Sequence, residues 1–348
     1  MASPVVSSSN GSVSVDGPKK IVIDADPGID DSMAILMAFQ SPELEILGFT
    51  TVFGNVTAET ATLNALRLSE VANRSDIPVA EGCSEPLMGG KPTVVDYVHG
   101  KDGLGNITLN PETSDDVPLV PKSNNIEMAG PQFLVDTVAQ HPGQVTVLAL
   151  GPLTNLALAL KWDTSFASNV KEIVILGGAF FALGNINPAA ESNILQDPEA
   201  ADIVFTSGAN ISVVGINITT QVKLTDEELQ DIRNSNGKYA KIVTDMCVFY
   251  EAWTEKSDKF KGIFLHDPTC FVSLVRPDLF TYTQGVVRVQ IEGKCRGLTL
   301  LDPGQKEWNS DNAWTVEVDG VGKPIVSVAM AAQVDEIRDY VKNLLMQP

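Results

Sequence analysis

Four aspartates, Asp24, Asp26, Asp30 and Asp31, fall within Ile21–Asp31, which reads Ile-Val-Ile-Asp-Ala-Asp-Pro-Gly-Ile-Asp-Asp. Carboxylates this close repel one another, and the positive end of a helix dipole relieves only a fraction of that repulsion. A bound cation relieves it properly, and a set of hard oxygen ligands suits Ca2+ or Mg2+ rather than zinc. An acidic helix start, where Asp is common, accommodates one or two such residues well and four poorly. Two further stretches carry polar chemistry. Gly184–Asn193 groups Asn185, Glu191 and Asn193 among small residues, a wall of hydrogen bonds for a polyol, although Asn and Gly are also ordinary loop residues. His266-Asp267-Pro268 sets an imidazole beside a carboxylate, the alternatives being a satisfied histidine and a helix cap. With only His99, His141 and His266 in the chain, a three-histidine metal site is disfavoured.

The elements that must position these residues alternate. Ile21, Val22 and Ile23 have the β-branched character of a buried strand, Pro27 and Gly28 turn the chain, and Ala34, Ile35, Ala38 and Phe39 take helical spacing. Further strands are expected over Leu44–Phe53, Ile77–Ala80, Val145–Leu150, Ile173–Leu176, Ile211–Ile216, Val286–Ile291, Leu298–Leu301 and Thr315–Val318. Helices are expected over Asp31–Gln40, Thr57–Asn73, Gly130–Gln140, from Asn155 to Lys161, over Pro198–Thr206, most of Thr225–Gly262, His266–Arg276 and Val334–Leu345. Gly82–Asn125 has no clear period. Apolar strands alternating with helices mark an α/β protein with an open, mostly parallel, Rossmann-like sheet flanked by helices. In such sheets ligands sit beyond the carboxyl ends of the strands. Asp26, Asn55, Gly151, the Asn185–Asn193 group and Asn217 each follow a predicted strand, so all fall on one rim.

Composition narrows the ligand. A chain of 348 residues with 44% apolar content can bury a large core, and no run approaches the roughly 18 apolar residues of a membrane helix. A net charge of −20 argues against nucleic acid or an anionic membrane as partner and fits a neutral or cationic small molecule. Cys83, Cys247, Cys270 and Cys295 form no close pairs, so reduced core thiols are expected. Residues 1–18 lack the basic start and apolar block of a secretory signal and read as a disordered tail. The cytoplasm is the default compartment, and residues 19–348 read as one domain.

Asp24-Ala25-Asp26-Pro27-Gly28-Ile29-Asp30-Asp31 resembles the D-x-D-P-G-x-D-D signature of the inosine-uridine-preferring nucleoside hydrolases, and further matches extend the resemblance from about Lys20 to the C-terminus. The resemblance implies the nucleoside hydrolase fold and a Ca2+ held by Asp26, Asp31, Asp267 and the backbone carbonyl of Leu150, the residue before Gly-Pro-Leu-Thr-Asn. Asp24, which the residues alone leave open as an alternative to Asp31, becomes a support. Asp26 is implied as general base and His266 as the acid for the leaving nitrogen. Asp30 and Asn55 are implied on the ribose hydroxyls, Asn185 and Glu191 on its 5′ side, Asn193 on its 2′,3′ side, and His99 on a flap. Tyr250 and Trp253 precede His266 on a helix and can stack on a base or simply pack in the core. Leu176 and Ser192 depart from residues frequent in the family, both around the base pocket.

The reading is then an N-ribohydrolase that splits purine and pyrimidine ribonucleosides, uridine, inosine and xanthosine among them, into ribose and free base. The chemistry resembles glycoside hydrolysis, with positive charge developing on the sugar. A homo-oligomer, a dimer foremost, is implied by the family. A haloacid-dehalogenase-type phosphotransferase also starts from D-x-D after its first strand, but Pro27 and Gly28 and the second aspartate pair argue against it. A Ca2+-dependent nucleoside-binding protein without turnover is the alternative from another class.

Overall fold

Lys19–Ala25 forms the strand around which the sheet is built, because its apolar residues alternate between two buried faces. Ile21 and Ile23 enter one hydrophobic cluster and Val22 the other. The computed structural model describes residues 17–109, 117–118, 121, 124–306, 308, 314, 318 and 322–348. Along these the strands are β1 (Lys19–Ala25), β2 (Leu44–Thr51), β3 (Val79–Ala80), β4 (Asn125–Ile126), β5 (Val145–Ala149), β6 (Glu172–Leu176), β7 (Ile211–Val214), β8 (Lys223–Thr225), β9 (Gly262–Phe264), β10 (Phe280–Val289), β11 (Thr299–Asp302) and β12 (Val326–Ala332).

The main sheet runs β11-β10-β12-β7-β6-β5-β1-β2-β3-β4. Every neighbouring pair from β12 to β4 is parallel, and β10 pairs antiparallel with both β12 and β11. The expected α/β sheet is therefore present. The strand order reverses between β1 and β5, which opens a crevice beyond their carboxyl ends. Register fixes what stands there: Asp24 lies opposite Thr50 of β2 and Ala149 of β5, so Asp26 and Leu150 emerge side by side.

One face of β1 packs against the helices Ile29–Phe39, Ala240–Ser257, His266–Val275 and Val334–Leu345, and the other against Gly130–Gln140, Thr154–Trp162 and Pro198–Phe205. Several expectations need correction. The strand expected over Ile211–Ile216 stops at Val214, and Gly215 begins the helical turn Ile216–Thr219. The expected helical run Thr225–Gly262 splits into Asp226–Arg233 and Ala240–Ser257, and the antiparallel pair β8 and β9 closes its two ends. β12 had no strand expectation, because Val326–Ala332 mixes small and apolar residues without alternation. Residues 1–16 of the expected tail, residues 315–317 of the expected strand and part of the Gly82–Asn125 stretch lie outside the described residues. Cys247 and Cys270 are buried thiols as expected, but Cys83 is only half-buried and Cys295 is exposed. No described helix is long and apolar enough to cross a membrane.

Candidate active site

Asp24 ends inside the sheet, where its Oδ1 accepts hydrogen bonds from Thr50 Oγ1 at 2.5 Å and Asn155 Nδ2 at 2.7 Å. Burial pushes its pKa up to about 6 against the pull of those two donors. Asp26, one pleat further on, leaves the sheet. Its Oδ2 accepts from the backbone N–H of Asn55 at 2.6 Å, and its Oδ1 has no partner. Backbone crowds it closely: a Cβ on Gly54 would lie 1.9 Å from Oδ2, and one on Gly151 would lie 2.5 Å from Oδ1. Glycines at these two positions let the carboxylate sit between the β1, β2 and β5 ends.

Asp30 and Asp31 open the helix Ile29–Phe39. Asp31 Oδ2 accepts from Gly28 N at 3.1 Å and from Asn55 Nδ2 at 2.8 Å, so Asn55 holds Asp26 with its backbone and Asp31 with its side chain. Asp267 arrives from the first turn of His266–Val275. Carboxylate oxygens of Asp30, Asp31 and Asp267 lie within 4.8 Å of one another, a set that does not include Asp26. Oδ1 of Asp26, Asp30, Asp31 and Asp267 are all buried without a hydrogen-bond partner. Burial, then the neighbouring carboxylates, pushes Asp31 up to about 7 and raises Asp26 and Asp267 well above the usual range. Partnerless carboxylate oxygens converging from two helices and a strand end are what a hard cation requires.

Above this floor lies a cavity of about 310 Å³ lined by Asp30, Asn55, His99, Leu150, Asn185, Glu191, Asn193, Tyr250, Trp253, His266 and Asp267. Asp24, Asp26 and Asp31 are not in the lining; they lie beneath it, fully buried. One wall is polar. Asn193 Nδ2 donates to the Leu150 carbonyl at 2.5 Å and sits 3.3 Å from that of Leu176. Glu191 caps the short helix Ser192–Gln196 and accepts from the backbone N–H groups of Gly178, Asn193 and Ile194. Asn185 Oδ1 accepts from Ser192 N at 2.9 Å, which ties the two ends of that loop.

The opposite wall is aromatic. Tyr250 lies 6.2 Å from His99 and 6.1 Å from Trp253, and Trp253 lies 6.3 Å from Tyr97, measured between ring centroids. His99 Nδ1 accepts from Ile29 N at 3.1 Å, so its 3.8 Å approach to Asp30 is not an ion pair, and burial lowers its pKa. His266 stacks on Phe264 with ring centroids 5.6 Å apart, and its Nδ1 lies 2.7 Å from Thr219 Oγ1.

The inosine-uridine preferring nucleoside hydrolase family model matches residues 21–336, which includes every residue of this site. The chain belongs to that family. It is accordingly a hydrolase acting on N-glycosyl compounds. Uridine nucleosidase 1 of Arabidopsis thaliana is 58% identical over 340 residues, covering 98% of this chain and 96% of the relative. The inosine-uridine preferring nucleoside hydrolase of Leishmania major is 34% identical, covering 82% and 88%. Among solved structures, a plant nucleoside hydrolase superposes with a TM-score of 0.88 at 45% identity over 95% of this chain and all of its own. A purine-preferring ribonucleoside hydrolase from Gardnerella vaginalis gives 0.83 at 30% identity, covering 94% and 98%. The phosphotransferase alternative falls with this membership.

Within this nucleoside hydrolase site the structure adds residues that the sequence reading missed. Tyr97, Leu183, Ile186, Thr220, Asp258 and Phe264 also line the cavity. Tyr97 and Phe264 each stand two residues before a histidine of the site, the only signal the sequence offered. Asn217, placed on the rim by its position after Ile216, turns away: its Nδ2 donates to the Ala329 carbonyl of β12 at 2.9 Å, and it does not line the cavity.

Proposed function

We propose that the protein is a Ca2+-dependent ribonucleoside hydrolase that cleaves uridine, and also inosine and xanthosine, to ribose and free base. The observation that carries this reading is the group of partnerless carboxylate oxygens at the floor of a cavity with one polar and one aromatic wall. Asp31, Asp267, Asp26 and the Leu150 carbonyl would hold the cation, and Asp30 stands close enough to Asp31 and Asp267 to contribute charge. When bound, Ca2+ supplies positive charge that binds water and makes it more acidic.

The chain's own groups do the rest. Asp26 takes a proton from the water whose oxygen bonds to C1′ of the ribose, while the C1′–N bond breaks and its electron pair leaves with the base. The unpartnered Oδ1 of Asp26 is the atom placed to accept that proton. Asp30 and Asn55, with Asn193 opposite, hold the 2′ and 3′ hydroxyls, and Asn185 and Glu191 face the 5′ side. Buried negative charge beside the sugar favours the oxocarbenium-like state. Tyr250 and Trp253, with His99 on the flap, form the apolar bed of the base, and His266 stands at its departing nitrogen. Asp24 supports the floor from within the sheet.

We further read residues 19–348 as one domain acting in the cytoplasm, as a homodimer, with no nucleic-acid or membrane partner. The name of the Arabidopsis relative supports uridine as first substrate. The deciding assay incubates the purified protein with uridine, inosine, xanthosine, adenosine and cytidine in phosphate-free buffer. Free base and ribose from uridine are expected. Binding without turnover would make the protein a nucleoside receptor instead.

A further inference from the structure

Thr219 closes the helical turn Ile216–Thr219 after β7 and is completely buried. Its neighbour Thr220 sends its hydroxyl back to the Ile216 carbonyl at 2.6 Å, the usual route for a helical threonine. Thr219 does not. Among the described residues, the sole hydrogen-bond partner of its Oγ1 is Nδ1 of His266, at 2.7 Å. That decides the direction of the bond. If Nδ1 carried the hydrogen, the threonine O–H would be buried with no acceptor, which is unfavourable. The hydroxyl therefore donates, Nδ1 accepts, and the ring is neutral with its hydrogen on Nε2. Stacking on Phe264 sets the ring plane, and the Thr219 bond sets which edge faces the cavity.

Resting on the hydrolase reading above, we propose that Thr219 is the positioning residue of His266. It holds the imidazole as the tautomer whose Nε2–H faces the cavity and donates a hydrogen bond to the nucleobase as it departs. A neutral imidazole is a poor source of a whole proton but a good hydrogen-bond donor. Charge released by C1′–N cleavage spreads onto the acceptor atoms of the base, such as the carbonyl oxygen beside the glycosidic nitrogen of uracil. A donor fixed there before cleavage stabilises that charge without reorganising. His266 thus serves the leaving group by hydrogen bonding, and the base takes its proton from solvent after release.

The test compares Thr219→Val, which keeps the shape and loses the hydroxyl, with Thr219→Ser, which keeps the hydroxyl. Substrates are uridine and 4-nitrophenyl β-D-ribofuranoside, whose leaving group departs as a stable phenolate. For the valine variant kcat on uridine should fall about 10²-fold, the scale of a misplaced catalytic group. KM should change little, the loss on the nitrophenyl riboside should be much smaller, and the serine variant should recover most of the uridine rate. Because the chain has only three histidines, 15N-histidine NMR can read the tautomer directly. It should show Nε2–H at His266 in the wild type and mixed tautomers in the valine variant. Equal losses on both substrates, an unchanged uridine rate, or an Nδ1–H tautomer in the wild type would each overturn the role of Thr219. Failure of the hydrolase reading is told apart: the wild type would then release base from no nucleoside, while the NMR readout needs no turnover.

Discussion

Asn193 donates its side-chain amide to the backbone carbonyl of Leu150 at 2.5 Å. The bond joins the polar wall of the cavity to the end of β5, and so joins a residue assigned to the sugar to an atom assigned to the cation. A carbonyl oxygen has two lone pairs, so it can accept from Asn193 and still face a cation. On the assignments proposed above, sugar binding and cation binding would be coupled through one peptide group.

Asn193→Ala should weaken both. Loss of a group that orients a metal ligand typically costs 10–100-fold in metal affinity. Calcium titration by calorimetry should show a drop of about that size, together with a higher KM for uridine. An unchanged calcium affinity would confine Asn193 to the sugar.

Asp26→Asn should lower kcat by about 10²–10⁴-fold, the usual loss for a general base. Binding of a ribose-like inhibitor should survive. Gly151→Ala probes the same carboxylate through the backbone, since the added Cβ would lie 2.5 Å from Asp26 Oδ1 and must displace it. Both variants should lose kcat more than KM. Near-wild-type turnover of Asp26→Asn would remove Asp26 from the role of base.

Ribonucleosides should be preferred over 2′-deoxyribonucleosides by about 10⁴-fold in kcat/KM, because a site built around a hydroxyl leaves buried groups unpaired when it is missing. Asp30 Oδ1, buried and without a protein partner, is the group left worst off. The contacts should tighten as the ring flattens, so kcat should fall as well as KM rise. Comparable values for uridine and 2′-deoxyuridine would withdraw Asp30 and Asn193 from the 2′ side.

Removing the cation should make stability depend on pH in a direction opposite to most carboxylates. Asp24 and Asp31 have folded-state pKa values of about 6 and about 7, above the ordinary 3.8, because burial disfavours their charge. The folded protein then binds protons that the unfolded chain releases. Their stabilisation is present below about pH 4 and is lost as pH rises through 6 and 7. The Tm of chelator-treated protein should therefore fall between pH 5 and 8. Added Ca2+ should raise Tm more at the alkaline end, where it does not compete with protons. Calcium-independent Tm at both ends, or zinc as the metal retained on purification, would sink the assignment.

The sequence by itself determined the alternation of strands and helices, the four-aspartate turn and the placement of Asp26, Asn55, Asn185, Glu191 and Asn193 on one rim, whereas Asp267 came only through the family resemblance. Those properties are local: apolar periodicity fixes the element, and a polar residue at a strand's carboxyl end must fall at the sheet's edge. What each side chain does there was decided by residues distant in the chain. Asp24 is drawn into the sheet by Thr50 and by Asn155, 131 positions away, while Asp26, identical in type and two residues on, is held by the Asn55 backbone N–H beneath the cavity with its Oδ1 unpartnered. Glu191 is turned onto three backbone N–H groups because it caps a helix. Asn217 is turned outward because β12 offers a carbonyl. Thr219 and Tyr97 became visible only when separate elements met at His266 and Trp253. Spacing along the chain fixes where a side chain starts, but its direction is set by the nearest unsatisfied partner, and only packing brings that partner within reach.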